Sequence, residues 1–84
     1  MKKIYCVYDM DTQKNRSGLV YYSSKKRALE DYDFRYKEKM NSKYLRITSV
    51  EEYEGDLLTK KFAYEYIGHE DISYITCIEA HDVY

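Results

Sequence analysis

The stretch Leu19-Val20-Tyr21-Tyr22-Ser23-Ser24-Lys25-Lys26-Arg27-Ala28-Leu29-Glu30 decides the fold. Its first four residues are β-branched, aromatic or aliphatic and read as a short strand. Two serines follow, and a serine hydroxyl can accept a free backbone N–H of a first helical turn. From Lys25 the apolar spacing changes to that of a helix. Ala28, Leu29, Tyr32, Tyr36 and Met40 share one stripe at 100° per residue, and Asn41-Ser42 ends the run. A strand that passes directly into an amphipathic helix places that helix across a sheet.

Upstream, residues 2–9 alternate, with Ile4, Cys6 and Tyr8 on one side and Tyr5 and Val7 on the other. Apolar groups on both sides suit a central strand. Asn15-Arg16-Ser17-Gly18 is the turn signal, which predicts a hairpin with residues 19–22. Downstream, residues 43–53 regain strand character. Leu45 and Ile47 are out of phase with Val50, which a bulge near Ser49 reconciles. Glu54-Gly55-Asp56 reads as a turn, residues 58–67 alternate, Gly68–Asp71 reads as another turn, and residues 72–81 alternate again. The expected fold is one α+β domain over residues 1–84, in the order β-β-α-β-β-β: a single helix on an antiparallel sheet of about five strands. One competitor stands over residues 49–66. Ser49-Val50-Glu51-Glu52 fits a capping box, and Val50, Tyr53, Leu57 and Tyr64 fit a helix face, although Gly55 would cost about 1 kcal/mol there.

Composition narrows the function. With 84 residues the chain fits one small domain and leaves little room for a deep cleft. It carries 12 Tyr against 2 Phe and no Trp, so its rings bring hydroxyls that need partners. No apolar run approaches the ~20 residues that span a bilayer, and the opening residues lack a secretory core, so a cytoplasmic location is expected. Cys6 and Cys77 lie in apolar alternating segments and fit two buried thiols of a reducing compartment; the count allows a single disulfide between neighbouring strands but does not imply one. The net charge of -1 conceals a cancellation, with +4 over residues 1–42 and -5 over residues 43–84.

Catalytic and metal motifs do not assemble. Asp9-Met10-Asp11-Thr12-Gln13 opens like a calcium loop, but Lys14 stands where the loop glycine belongs and Val20 where the bidentate glutamate belongs. His69, Glu70 and Asp71, like His81 and Asp82, lack metal-ligand spacing. Cys77 and His81 lie about 13 Å apart along a strand, too far for a nucleophile and its base. Neither an enzyme nor a cofactor or metal site is expected.

Two surface features conflict with the simplest helix-on-sheet domain. Lys25, Lys26 and Arg27 occupy the positive end of the helix dipole, relieved by Glu30 and Asp31 or else poised for an anion. Phe34 falls opposite the apolar stripe, among Glu30, Asp31, Lys37 and Glu38, which is the layout of an anchor with a polar rim. The tyrosines also exceed what one helix covers, so Tyr64 and Tyr66 join Phe34, Glu30, Asp31 and Glu38 as expected partner contacts.

The strand 1–9 and the capped helix start at 19–30 resemble those of many short uncharacterised proteins of low-GC bacteria and their phages. Small phage proteins of this size commonly act as stoichiometric inhibitors of host machinery or defence, anti-CRISPR proteins among them. The resemblance implies a small cytoplasmic binding protein that inhibits a host protein, such as a defence nuclease; the acidic and aromatic residues around Phe34, read from the helix itself, are the surface expected to face a basic partner. The alternative is a small nucleic-acid-binding module using Lys25, Lys26, Arg27 and exposed tyrosines. Self-association fits both.

Overall fold

The computed structural model describes residues 2–53 and 59–83. Its elements are β1 (Lys2–Asp11), β2 (Arg16–Tyr22), α1 (Lys25–Met40), β3 (Leu45–Tyr53), β4 (Thr59–Tyr66) and β5 (His69–Val83). The strands form one sheet in the order β2-β1-β5-β4-β3, with every neighbouring pair antiparallel. This is the expected α+β architecture, with one helix packed on a five-stranded sheet.

Register explains the layers. β1 and β5 pair continuously from Lys2↔Val83 to Asp11↔Tyr74, which makes both central. Val7, Ile78, Ala80, Phe62 and Tyr64 face α1 and enclose its Ala28 and Tyr32. Rings pack edge to face there, with Phe62 5.6 Å from Tyr32 and 5.1 Å from Tyr36. On the other face, Cys6, Tyr8 and Cys77 form a second buried cluster flanked by Met10. None of the described elements forms a layer over that face.

Local details sharpen several expectations. The bulge lies between Ile47 and Ser49 as the phase change required. Residues 49–53 and 59–66 are strand, so the competing helix is excluded over them; cross-strand pairing with β5 and β3 outweighs the local capping signal. The expected turn at Glu54-Gly55-Asp56 lies outside the described residues.

The first hairpin turns earlier than Asn15-Arg16-Ser17-Gly18 indicated. The Asp11 carboxylate accepts the backbone N–H groups of Gln13 (2.9 Å) and Asn15 (3.0 Å), and Lys14 takes a left-handed φ of 64°. Gly18, at φ 60°, sits instead in the bulge of β2, where the register with β1 shifts between Val7 and Asp9. The last hairpin is also tighter than expected. Ile67 and Gly68 make the turn and Tyr66 pairs with His69, so His69, Glu70 and Asp71 belong to β5.

Both cysteines are free. Cys77 faces Tyr8 across the strands and Cys6 faces Glu79, so the thiols are offset diagonally rather than paired. Met40, expected on the buried stripe, is 54% exposed because it closes the helix beyond its packed turns.

Candidate functional site

The helix that carries the acidic and aromatic residues begins with a side-chain cap. Ser24 Oγ accepts the backbone N–H of Arg27 at 3.3 Å. Burial of Ala28 and Tyr32, with Leu29 and Tyr36 packed beside them, fixes which face turns outward. Phe34 is on that outward face and is 65% exposed. Glu30, Lys37 and Glu38 are exposed around it, while Asp33, also exposed, lines a cleft toward β3 with Tyr32, Tyr36, Val50 and Glu52. Glu38 is engaged only loosely, 3.5 Å from Lys39.

Asp31 does not belong to this rim. Tyr22 donates its hydroxyl proton to Asp31 at 2.6 Å, and the Arg35 Nε–H donates to the same carboxylate at 2.9 Å. That guanidinium also reaches Asp9 at 3.2 Å and the Gly18 carbonyl at 2.7 Å. Asp31 and Arg35 thus fasten α1 to the first hairpin, and the expected surface role of Asp31 is corrected. Tyr64 is also withdrawn. It is 5% exposed because β4 is an inner strand and the ring points beneath the helix side of the sheet. Tyr66, two residues nearer the end of the same strand, is 41% exposed.

Lys25, Lys26 and Arg27 are exposed, and the first turn holds no acidic residue. Glu30 and Asp31 do not relieve these cations by ion pairing among the described residues. Lys25 instead lines a cavity of about 560 Å³ with Lys2, Lys3, Tyr5 and Ser23. The convergence of β1's start on the helix start was not visible in the sequence, because it depends on the hairpin register Tyr5↔Tyr22.

A second cleft, of about 310 Å³, lies at the opposite end of the sheet between the first hairpin and three tyrosines. Tyr64 and Tyr74 stack with centroids 5.4 Å apart and planes at 16°. Tyr66 stands nearly perpendicular to Tyr74 (5.5 Å, 85°). Asp9 and Asp11 line the cleft from β1, where Asp11 pairs with Tyr74 and Asp9 with Thr76, whose hydroxyl donates to the Asp9 carboxylate.

The uncovered face of the sheet carries a polar cluster around Glu79. Tyr8 donates its hydroxyl proton to Glu79 Oε1 at 2.7 Å, and His81 Nε2 lies 3.0 Å from Oε2. Burial would push the Glu79 carboxyl up, but these bonds outweigh it and hold the group below its ordinary value. Cys77 lies 3.7 Å from the same carboxylate, and burial pushes its thiol up to about 11. A thiol so protonated is not a nucleophile near neutral pH. Glu79 also stands between Cys77 and His81, so thiol and imidazole do not pair. The described residues contain no group of three or more His, Cys, Asp or Glu placed to hold a metal, and no helix among them is long and apolar enough to cross a membrane.

Comparison of the chain with protein-family models, with curated proteins and with solved structures gives no match.

Proposed function

We propose that this is a small binding protein that works by occupying a basic surface of a partner protein with the outer face of α1. The observation that carries this reading is Phe34. Folding leaves a phenyl ring 65% exposed in the middle of a helix whose opposite face is packed on the sheet. Around it, Glu30 and Glu38 form an acidic rim broken by Lys37. An apolar anchor within a polar rim is the layout in which a few residues carry most of the binding energy. The acidic rim selects for a basic partner and repels acidic ones. Stoichiometric inhibition of a host protein, such as a nuclease with a basic groove, is the form of action that the resemblance to short phage and low-GC bacterial proteins supports.

The nucleic-acid reading draws support from the lysine-lined cavity at the helix start, but a net charge of -1 weighs against it.

The test is affinity capture from a host lysate with the wild-type chain, Phe34→Ala and the double reversal Glu30→Lys/Glu38→Lys. Both variants change exposed side chains and are expected to fold like the wild type by circular dichroism. Capture of the same partner is expected to fall by at least about tenfold in Phe34→Ala, the scale of a hot-spot truncation. Equal capture by all three chains removes this face from consideration.

A further inference from the structure

The cleft at the far end of the sheet has the makings of a receptor for a cation. One 16-residue helix spans about 24 Å. The molecule is 45 Å in its longest dimension, so the sheet outruns the helix that covers it. Where the helix ends, buried Tyr64 stacks on Tyr74, and exposed Tyr66 closes a corner at right angles to Tyr74. Across the strands from this corner stand Asp9 and Asp11.

Aromatic faces attract a cation within ~6 Å of the ring centroid. Tyr64 already does so within this molecule, with Lys39 Nζ 5.5 Å from its centroid. The nearby cations are otherwise committed. Arg35 is shared between Asp31 and Asp9, and Arg16, which lines the rim, is stacked over Tyr8 at 4.8 Å. Asp11 differs from Asp9. Its carboxylate accepts only neutral donors, from Gln13 and Asn15, so its charge is not cancelled by any cation among the described residues. The Asn15 backbone N–H, with the other hydrogen bonds, holds its carboxyl below the usual carboxylate range. The site therefore joins an ionised carboxylate to a corner of π faces. A volume of about 310 Å³ is at the small end of ligand sites, which suits a side chain rather than a nucleotide.

We propose that the cleft between Asp11 and the Tyr66 and Tyr74 rings, backed by buried Tyr64, receives an arginine side chain of a partner protein. The planar guanidinium stacks against the tyrosine corner and its N–H groups donate toward Asp11. This inference rests on the reading of a module for a basic partner, but it uses a surface apart from Phe34.

The experiment follows the Tyr66 and Tyr74 ring resonances by NMR during titration with acetyl-Gly-Arg-Gly-amide. The citrulline peptide, isosteric and neutral, and methylguanidinium are titrated alongside. The arginine peptide is expected to give saturable shifts at both rings, with affinity at least about fivefold above that of the citrulline peptide, in line with a cation–π contact and a carboxylate partner. Tyr66→Leu is expected to abolish the shifts at Tyr74, and Asp11→Asn to weaken binding about threefold or more. Equal binding of the two peptides overturns the cation site, as does retention of the shifts in Tyr66→Leu. Methylguanidinium binding as tightly as the peptide overturns the assignment to a protein side chain. Phe34→Ala is expected to leave these shifts intact, so failure of the cleft and failure of the helix face are read separately.

Discussion

Tyr32 is 4% exposed, packs against Phe62, and carries a hydroxyl that finds no hydrogen-bond partner among the described residues. A buried hydroxyl left unpaired costs about 1–3 kcal/mol, whereas its removal with shape preserved is neutral or better. Tyr32→Phe keeps the ring contacts and removes the orphan oxygen. It is expected to raise unfolding stability by about 1 kcal/mol, read as a higher urea midpoint at unchanged slope. A lower midpoint would mean that the hydroxyl is paired in solution. Asp31 and Arg35 are the opposite case. Their charged groups are matched to one another and to partners on other elements, with Arg35 reaching back as far as Asp9. That is why Asp31 is lost to the surface even though its sequence neighbourhood is the same as that of Glu30.

At the scale of the element, α1 is a short amphipathic helix whose start depends on one hydroxyl. Ser24 accepts the Arg27 N–H, and three cations crowd the same end without an acidic residue in the first turn. The dipole therefore opposes the charges, and starting the helix falls more heavily on the cap. Ser24→Ala is expected to lower stability by about 1 kcal/mol. Fraying should appear first in the amide exchange of residues 25–28, and uniform exchange along α1 would show that the cap is dispensable. The helix limits, 25–40, were legible in the sequence because serine cap, stripe and Asn-Ser stop are all local signals. The bulge in β3 was legible for the same reason, since inserting one residue is the simplest way for a period-2 pattern to change phase within a strand. The first turn was misplaced because glycine normally marks a left-handed position. Here Lys14 takes that conformation, and Asp11 satisfies the loop's N–H groups.

For the whole molecule, alkaline stability brings several buried groups together. Burial is the main cause that pushes Tyr8, Tyr32 and Tyr64 above their ordinary value of 10.0, and Cys77 above 9.0 to about 11. The unfolded chain ionises these groups first. Their contribution is therefore complete below the ordinary values and is lost as pH rises through them toward the folded ones. The urea midpoint is expected to hold between pH 7 and about pH 9 and then to fall steadily. A midpoint that stays level to pH 11 would show that these phenols and the thiol reach water in the folded state. The number of tyrosines made a surface role for some of them legible. Which ones it would be was not, since Tyr64 packs in the core cluster with α1 while Tyr66, two residues on and past a register shift, pairs with His69 beside the hairpin turn.

The sequence by itself determined where the helix begins and ends, which strand faces are apolar, that Phe34 turns away from the core, and that one helix lies on a sheet. All of these follow from spacings of a few residues, which the backbone periods of 2 and 3.6 convert directly into faces. The tertiary structure alone decided that β1 pairs with β5, that Asp31 is taken by Tyr22 and Arg35, that Lys2, Lys3 and Lys25 meet, and that Asp11 faces Tyr74. The β1–β5 pairings, Asp11 with Tyr74 among them, join opposite ends of the chain, and competing registers of the same alternating pattern look alike locally. Only the collective packing of one helix on five strands selects among them.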